Sequence, residues 1–328
     1  MHNIALIGAG RIGKIHAANL AASRRVRLAR VVDPFGDAAA ALAGEHGAQV
    51  STLEDALADP SISGVLVASS TDTHLDYSLA AAEAGKAVFC EKPLDQDLAR
   101  ARAATRRFSE VDARLFLAFN RRFDPNFAAL QSRLASGEVG AIETLHIISH
   151  DPAPPPVDYV KVSGGIFKDM VIHDFDMARW LLGEEISEVF ASSSVLVDPA
   201  IGDAGDADTA KTLLRTTSGR LCMISSSRRS GYGYDQRIEA FGSKGMIRAQ
   251  NQLESTVEIW GETGAAADRF QNFFLDRYAV AYAREIDHFA DILDGNMTPL
   301  VGFEDGVAAL ALAEAAARSA RTGERVLL

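Results

Sequence analysis

Two cysteines, Cys90 and Cys222, in 328 residues leave the chain without the material for a disulfide framework. They stand far apart, with no Cys-x-x-Cys and no repeated spacing, so the sequence offers no structural zinc site. No apolar run approaches the roughly 18 residues of a bilayer-spanning helix, so no membrane association is expected. The opening Met-His-Asn-Ile-Ala-Leu-Ile-Gly has no basic stretch ahead of its apolar residues, which leaves the cytoplasm as the default location. Lys and Arg cluster no further than pairs and the formal net charge is −11, which argues against nucleic acid as a partner. An acidic chain can still take an anionic cofactor on a helix N-terminus. Ten prolines and 26 glycines are scattered, without any low-complexity tract.

What is present is ordinary for a globular protein: 48% hydrophobic and 23% charged residues, in a length suited to two domains of about 100–200 residues each. A β-like run at 3–8 ends in glycine and leads into a helix-like stretch from 11 to about 22. A second run, 26–33, ends on Asp33 and precedes an Ala-rich helix near 37–46. The alternation continues with strands at 64–68, 87–90 and 114–118 and helices at 73–84 and 94–108. Strands separated by helices of about 10–15 residues predict an α/β Rossmann domain, a doubly wound parallel sheet, over 1–121.

Past residue 123 the rhythm changes. A helix at 125–136 leads to a strand at 142–149, a Pro-rich loop at 151–157 and a helix at 167–182. Short β-like runs with turns follow between 188 and 260, and helices near 278–294 and 304–321 close the chain. This predicts an α+β domain over 122–328 with a large open-faced, mostly antiparallel sheet. Met170, Phe175, Leu181 and Leu182 form a buried helix stripe. Trp180 and Trp260 are assigned to the core, while His16 and His288 are read as structural or exposed.

Gly8-Ala9-Gly10-Arg11-Ile12-Gly13 is a GxGxxG at a strand-to-helix junction. The first glycine makes the tight turn, the second lets the backbone approach a pyrophosphate, and the third allows close helix–strand packing. Asp33, twenty residues beyond Gly13, would accept the adenosine ribose hydroxyls and repel a 2′-phosphate, which favours NAD over NADP. The bland alternatives are a glycine-rich turn and a solvated turn aspartate. Cys90-Glu91-Lys92-Pro93 ends a predicted strand, where Lys92 is either aimed into the ligand crevice or a plain surface lysine. Asp169 and His173 stand at i and i+4 and so share a helix face. A carboxylate holding one imidazole nitrogen suits a general base, although such pairs are also common surface ion pairs. Asp174 and Asp176 alternate on the helix and point apart, so no metal is expected there.

Together GAGRIG, Ser70-Thr71-Asp72-Thr73-His74, Glu91-Lys92-Pro93 and the GG-x3-D-x3-HD-x-D of residues 164–176 resemble the glucose–fructose oxidoreductase/inositol dehydrogenase/rhizopine catabolism family over essentially the whole chain. Residues 119–125, 151–155 and 232–237, with Arg277, Tyr278 and Tyr282, place the resemblance nearest its inositol-oxidising branch. Asp72 departs from the asparagine many relatives carry there. The resemblance implies that Lys92, Asp169 and His173 are the catalytic set. It also implies that Ser69, Ser70, Thr71, His74, Glu91, Lys92 and Arg122 join Gly8, Gly10, Arg11, Ile12, Gly13 and Asp33 around NAD. Arg122, His150, Asp151, Tyr234 and Tyr282, with the catalytic three, become candidates to hold a cyclic polyol. The implied reaction is oxidation of myo-inositol at C2 to 2-keto-myo-inositol (scyllo-inosose), in a homo-oligomeric (dimeric or tetrameric) enzyme. The same chemistry on scyllo- or chiro-inositol or a pyranose, and a non-catalytic NAD-binding sensor, are the alternatives.

Overall fold

The computed structural model describes residues 1–328 and divides into two compact units. The first takes Met1–Phe123 and the returning segment Ala281–Leu310; the second takes Asp124–Val280 and Ala311–Leu328. A single boundary between 121 and 122 therefore leaves out the return of the chain to the first unit.

In the first unit six parallel strands, β1 (His2–Ile7), β2 (Val26–Val32), β3 (Gln49–Val50), β4 (Ile62–Val67), β5 (Ala87–Glu91) and β6 (Leu115–Ala118), lie in the order 3-2-1-4-5-6. β4, β5, β6 and the Ile4–Ile7 part of β1 are apolar without alternation because both faces are covered: Ile4, Leu6, Val65, Val67, Val88, Phe89, Phe116 and Leu117 are all buried. The returning helix Ala279–Leu293 supplies Phe289, whose ring closes on Gly64 of β4; a Cβ on that glycine would meet the ring at 2.8 Å. The two-residue edge strand β3 has no hydrophobic signature of its own, and the sequence reading has no strand there.

The second unit holds a seven-stranded sheet. Its strands are β7 (Ile142–His150), β8 (Ile186–Ser194), β9 (Thr209–Thr216), β10 (Leu221–Ser227), β11 (Asp235–Gly242), β12 (Gly245–Ala249) and, from the C-terminus, a strand at Val326–Leu327. All pairings are antiparallel except β7 with β10. Along β9 and β10 burial alternates residue by residue, as expected when one face meets a core and the other does not. Helix Pro125–Ala135 starts where Asp124 accepts the N–H groups of Asn126 and Phe127 (both 3.1 Å), with proline at the first helical position. The core-facing helix carries the expected stripe: Met170, Phe175, Leu181 and Leu182 are buried.

One expectation needs correction. Trp260 is 79% exposed, on a separate two-stranded hairpin of residues 258–267. A local β-pattern does not say whether a strand joins the main sheet. His16 and His288 are both buried, so the exposed alternative is excluded. Trp180 is half-buried.

Candidate active site

In the first unit the nucleotide-binding residues gather where the strand order reverses, between β1 and β4, where open sheets of this kind receive ligands at their carboxyl ends. Gly8 follows β1 with φ at 106°, and a Cβ there would meet the Ala68 carbonyl oxygen at 2.4 Å. Gly13, in the first turn of helix Arg11–Ala22, presses on Gly8; its Cβ would stand 2.0 Å from the Gly8 oxygen. Gly10 is different, with no protein atom within 4 Å of where its Cβ would be. Two glycines are thus committed to packing, and the third leaves bare backbone at a helix N-terminus carrying Arg11 and Ile12. That is the surface a diphosphate needs. Beyond β2, Asp33 accepts the Ala9 N–H (2.7 Å) through one oxygen and the Phe35 N–H (2.8 Å) through the other. Its carboxylate is held beside the glycine loop, and each oxygen keeps a lone pair for ribose hydroxyls. These residues fit a dinucleotide.

The loops after β4 and β5 are tied by His74. Its buried ring has Nδ1 2.8 Å from the Pro93 carbonyl oxygen and Nε2 3.1 Å from that of Ser69. With both nitrogens engaged by main chain, His74 acts on the site through the placement of Ser69, Ser70, Thr71 and Pro93. Ser69 Oγ is further held 2.6 Å from Thr73 Oγ1. Lys92, half-buried, precedes Pro93 through a cis peptide bond. Glu91 faces inward: one oxygen lies 2.7 Å from Nε2 of His16, and the other accepts the Lys92 N–H at 3.3 Å. Burial, and then the charge of Glu91, push the carboxyl of nearby Glu285 well above the ordinary value. Arg122 is buried and donates to the Leu300 carbonyl (3.2 Å) and to Asp305 (3.0 Å). Tyr282 is buried with its ring edge-on to His16, centroids 5.8 Å apart.

In the second unit the candidate acid–base pair lies on one helical segment. Residues Phe167–Val171 form a π turn that runs directly into the α-helix Ile172–Leu182, so Asp169 sits in the π turn and His173 in the first α turn. The two glycines ahead of it, Gly164 and Gly165, both have φ at 84°, a conformation that favours glycine. One oxygen of Asp169 accepts the Tyr159 hydroxyl at 2.8 Å and the other accepts Nη1 of Arg228 at 3.2 Å. Neither partner stood out in the sequence. Tyr159 is a lone tyrosine beyond a Pro-rich loop, and Arg228 is one of an unremarkable Arg-Arg pair.

A second cluster forms at one end of the seven-stranded sheet, where register sets His150 of β7 between Ser227 of β10 and Asp235 of β11. His150 Nε2 is 3.0 Å from Ser225 Oγ. Burial pushes its imidazole below the ordinary pKa against the opposing pull of Asp235, which favours a neutral ring able to exchange hydrogen bonds with a hydroxyl. Burial disfavours the charge on Asp235 itself, yet Arg237, Asn251 and Tyr232 hydrogen-bond it and hold its carboxyl below the usual range. Asp151 continues from His150, its N–H bonded to Ser227 (2.9 Å). Tyr234 is buried edge-on to Tyr278. His150 and Tyr234 are the site candidates of this cluster in the sequence, and Asp235, there only part of the 232–237 segment, braces it from the sheet side. The motif residues Asp124 and Arg277, far apart in sequence, meet as a buried ion pair.

Comparison with known proteins shows the family. A family model described as an oxidoreductase family with an NAD-binding Rossmann fold matches residues 2–119, and the GFO/IDH/MocA C-terminal domain matches residues 127–248. The inositol 2-dehydrogenase of Rhizobium meliloti is 49% identical over 96% of this chain and 95% of its own. The myo-inositol 2-dehydrogenase of Thermotoga maritima is 47% identical over 96% and 95%. Among solved structures, the scyllo-inositol dehydrogenase of Lactobacillus casei with bound NAD(H) and scyllo-inositol superposes with a TM-score of 0.93 at 28% identity, covering 100% of this chain and 99% of that one.

Proposed function

We propose, for a chain that belongs to the GFO/IDH/MocA oxidoreductase family, that it oxidises myo-inositol at C2 to 2-keto-myo-inositol with NAD⁺. The observation that carries this reading is near-half identity, over almost the entire length, to proteins named for that activity, in a chain that has Lys92, Asp169 and His173.

NAD⁺, when bound, accepts the hydride from the carbinol carbon. Gly8, Gly10, Arg11, Ile12 and Gly13 would hold its diphosphate and Asp33 its adenosine ribose, with Ser69, Ser70, Thr71, Glu91, Lys92 and Arg122 completing the site and His74 holding its loops in place. His173 takes the hydroxyl proton onto a ring nitrogen, so the alcohol loses a hydride and a proton and becomes a ketone. Asp169, restrained by Tyr159 and Arg228, orients the ring and stabilises the imidazolium. The Lys92 ammonium hydrogen-bonds the reacting oxygen and opposes negative charge that develops there. Arg122, His150, Asp151, Tyr234 and Tyr282 pair with the remaining hydroxyls, since a buried group left unmatched costs about 1–3 kcal/mol.

The test is the initial rate of NADH formation with a panel of inositols and hexoses. Turnover of myo-inositol well above that of the hexoses is expected. Activity on a pyranose with none on any inositol would discard the substrate and keep the chemistry, and silence throughout would favour a sensor. Scyllo-inositol is the second reading, favoured by the similarity to a structure that holds it.

A homo-oligomer, dimer or tetramer, is part of the same proposal. Two rows of side chains cross the open face of the second unit's sheet in register: Phe190, Leu213 and Met223 in one, and Leu221, Phe241 and Met246 in the other, with Thr144 of β7 between Leu221 and Phe241. All six are exposed, apolar side chains that a second copy of the chain would cover. Light scattering should give a mass of two or four chains, lowered by Leu213→Asp; a wild-type mass of one chain would end the idea. A cytoplasmic location is supported by both cysteines being buried and unpaired, and cell fractionation tests it.

A further inference from the structure

The pairs that hold Asp169 extend further than the acid–base helix needs for its own hydrogen bonding. Arg228, just beyond β10, is 1% exposed. Its Nη1 meets Asp169 at 3.2 Å and its Nη2 lies 3.5 Å from Oδ2 of Asp206. The other oxygen of Asp206 accepts the Ile166 N–H at 2.9 Å. Gly165 allows this approach, because a Cβ there would stand 3.0 Å from that same oxygen. One guanidinium and one carboxylate thus grip the helical segment at two points. Ile166 lies immediately before the π turn and Asp169 lies in the middle of it.

That placement matters because a π turn is intrinsically rare and is kept by contacts outside the helix. Relative to an α-helix it carries one extra residue. Relaxing it would rotate the residues after the turn by about 100° against those before it, and so re-aim His173 relative to the rest of the second unit. A buried arginine is also a poor choice for stability alone, since apolar replacements of buried ion pairs are often neutral or better. Nε and Nη2 of Arg228 are buried without a hydrogen-bond partner, so the side chain is placed by one hydrogen bond to Asp169 and by the charge of Asp206 3.5 Å away.

We infer that Arg228 is a positioning residue for the reaction: with Asp206 it clamps the π turn and so sets the orientation of the Asp169–His173 pair. The inference rests on the reading of that pair as the acid–base machinery. The test measures kcat and KM for myo-inositol, Kd for NAD⁺ and thermal stability for Arg228→Met, Arg228→Lys, Asp206→Asn and His173→Ala. Arg228→Met is expected to lower kcat by about 10- to 100-fold, the scale of a sub-ångström to ångström misplacement, with Kd for NAD⁺ and KM within about threefold. Arg228→Lys should recover part of the rate because it keeps a charge but not the planar fork, and Asp206→Asn should show a smaller loss in the same direction. A folded Arg228→Met with kcat within about twofold of wild type would overturn the clamp. So would parallel loss of kcat, KM and cofactor binding without recovery in Arg228→Lys. If Arg228→Met does not fold, unchanged kcat in both Arg228→Lys and Asp206→Asn overturns it instead. If His173→Ala keeps its rate, the reading of the pair itself has failed, whatever Arg228 does.

Discussion

Replacing His173 by alanine is expected to lower kcat for myo-inositol oxidation by roughly 10²–10⁴-fold while NAD⁺ binding survives. The reason is local. Hydride departs readily only from an alkoxide-like carbinol, and without His173 the proton must pass to water. The glycine loop, Asp33 and the loops after β4 and β5 belong to the first unit, whereas His173 belongs to the second, so the cofactor-binding residues are untouched. The measurement is steady-state kinetics beside a cofactor titration by fluorescence. Activity within a few-fold of wild type would show that another group removes the proton. Loss of NAD⁺ affinity in step with kcat would show that the substitution had disturbed more than the base.

Gly13→Ala is expected to weaken NAD⁺ binding tenfold or more and to lower the melting temperature by several degrees. The added methyl would stand 2.0 Å from the Gly8 carbonyl oxygen and 2.9 Å from its carbon, main-chain atoms that cannot swing aside. The helix must lift from the loop, at an overpacking cost of about 1–3 kcal/mol, and a tenfold loss of affinity is about 1.4 kcal/mol. Gly10→Ala is the informative contrast. Its φ is −74° and its Cβ would meet no protein atom within 4 Å, so stability should hold. The methyl would still occupy the surface left bare for the diphosphate, so affinity should fall alone. A Gly10→Ala protein that binds NAD⁺ as tightly as wild type would place the diphosphate elsewhere.

Much of this protein is legible in local patterns, because local physics produces them. Unbroken apolar strands spaced by helices specify a sheet covered on both faces, and alternation along β9 and β10 specifies one with an open face. Gly8, Gly10, Gly13 and Asp33 are readable because a tight strand–turn–helix needs them at fixed intervals, and Asp169 and His173 because one helical segment sets their spacing. The family resemblance extended this to Lys92 and to the substrate. Other features arise only when the chain closes on itself. His16 meets Glu91 across 75 residues, Arg228 reaches Asp169 across 59, and Ile166 is held by Asp206 across 40. No period links such residues, and each looks like any surface charge until burial removes the water that would otherwise solvate it. The return of 281–310 to the first unit, the exposure of Trp260 and the π turn ahead of His173 are of the same kind. Short-range sterics and hydrophobic periodicity are enough to make the two folds and the glycine loop readable along the chain, while the roles proposed for Asp169 and His173 come from the family resemblance. Which distant side chains steady that pair was decided by tertiary packing alone, because a buried charge takes whatever partner the folded chain brings within reach.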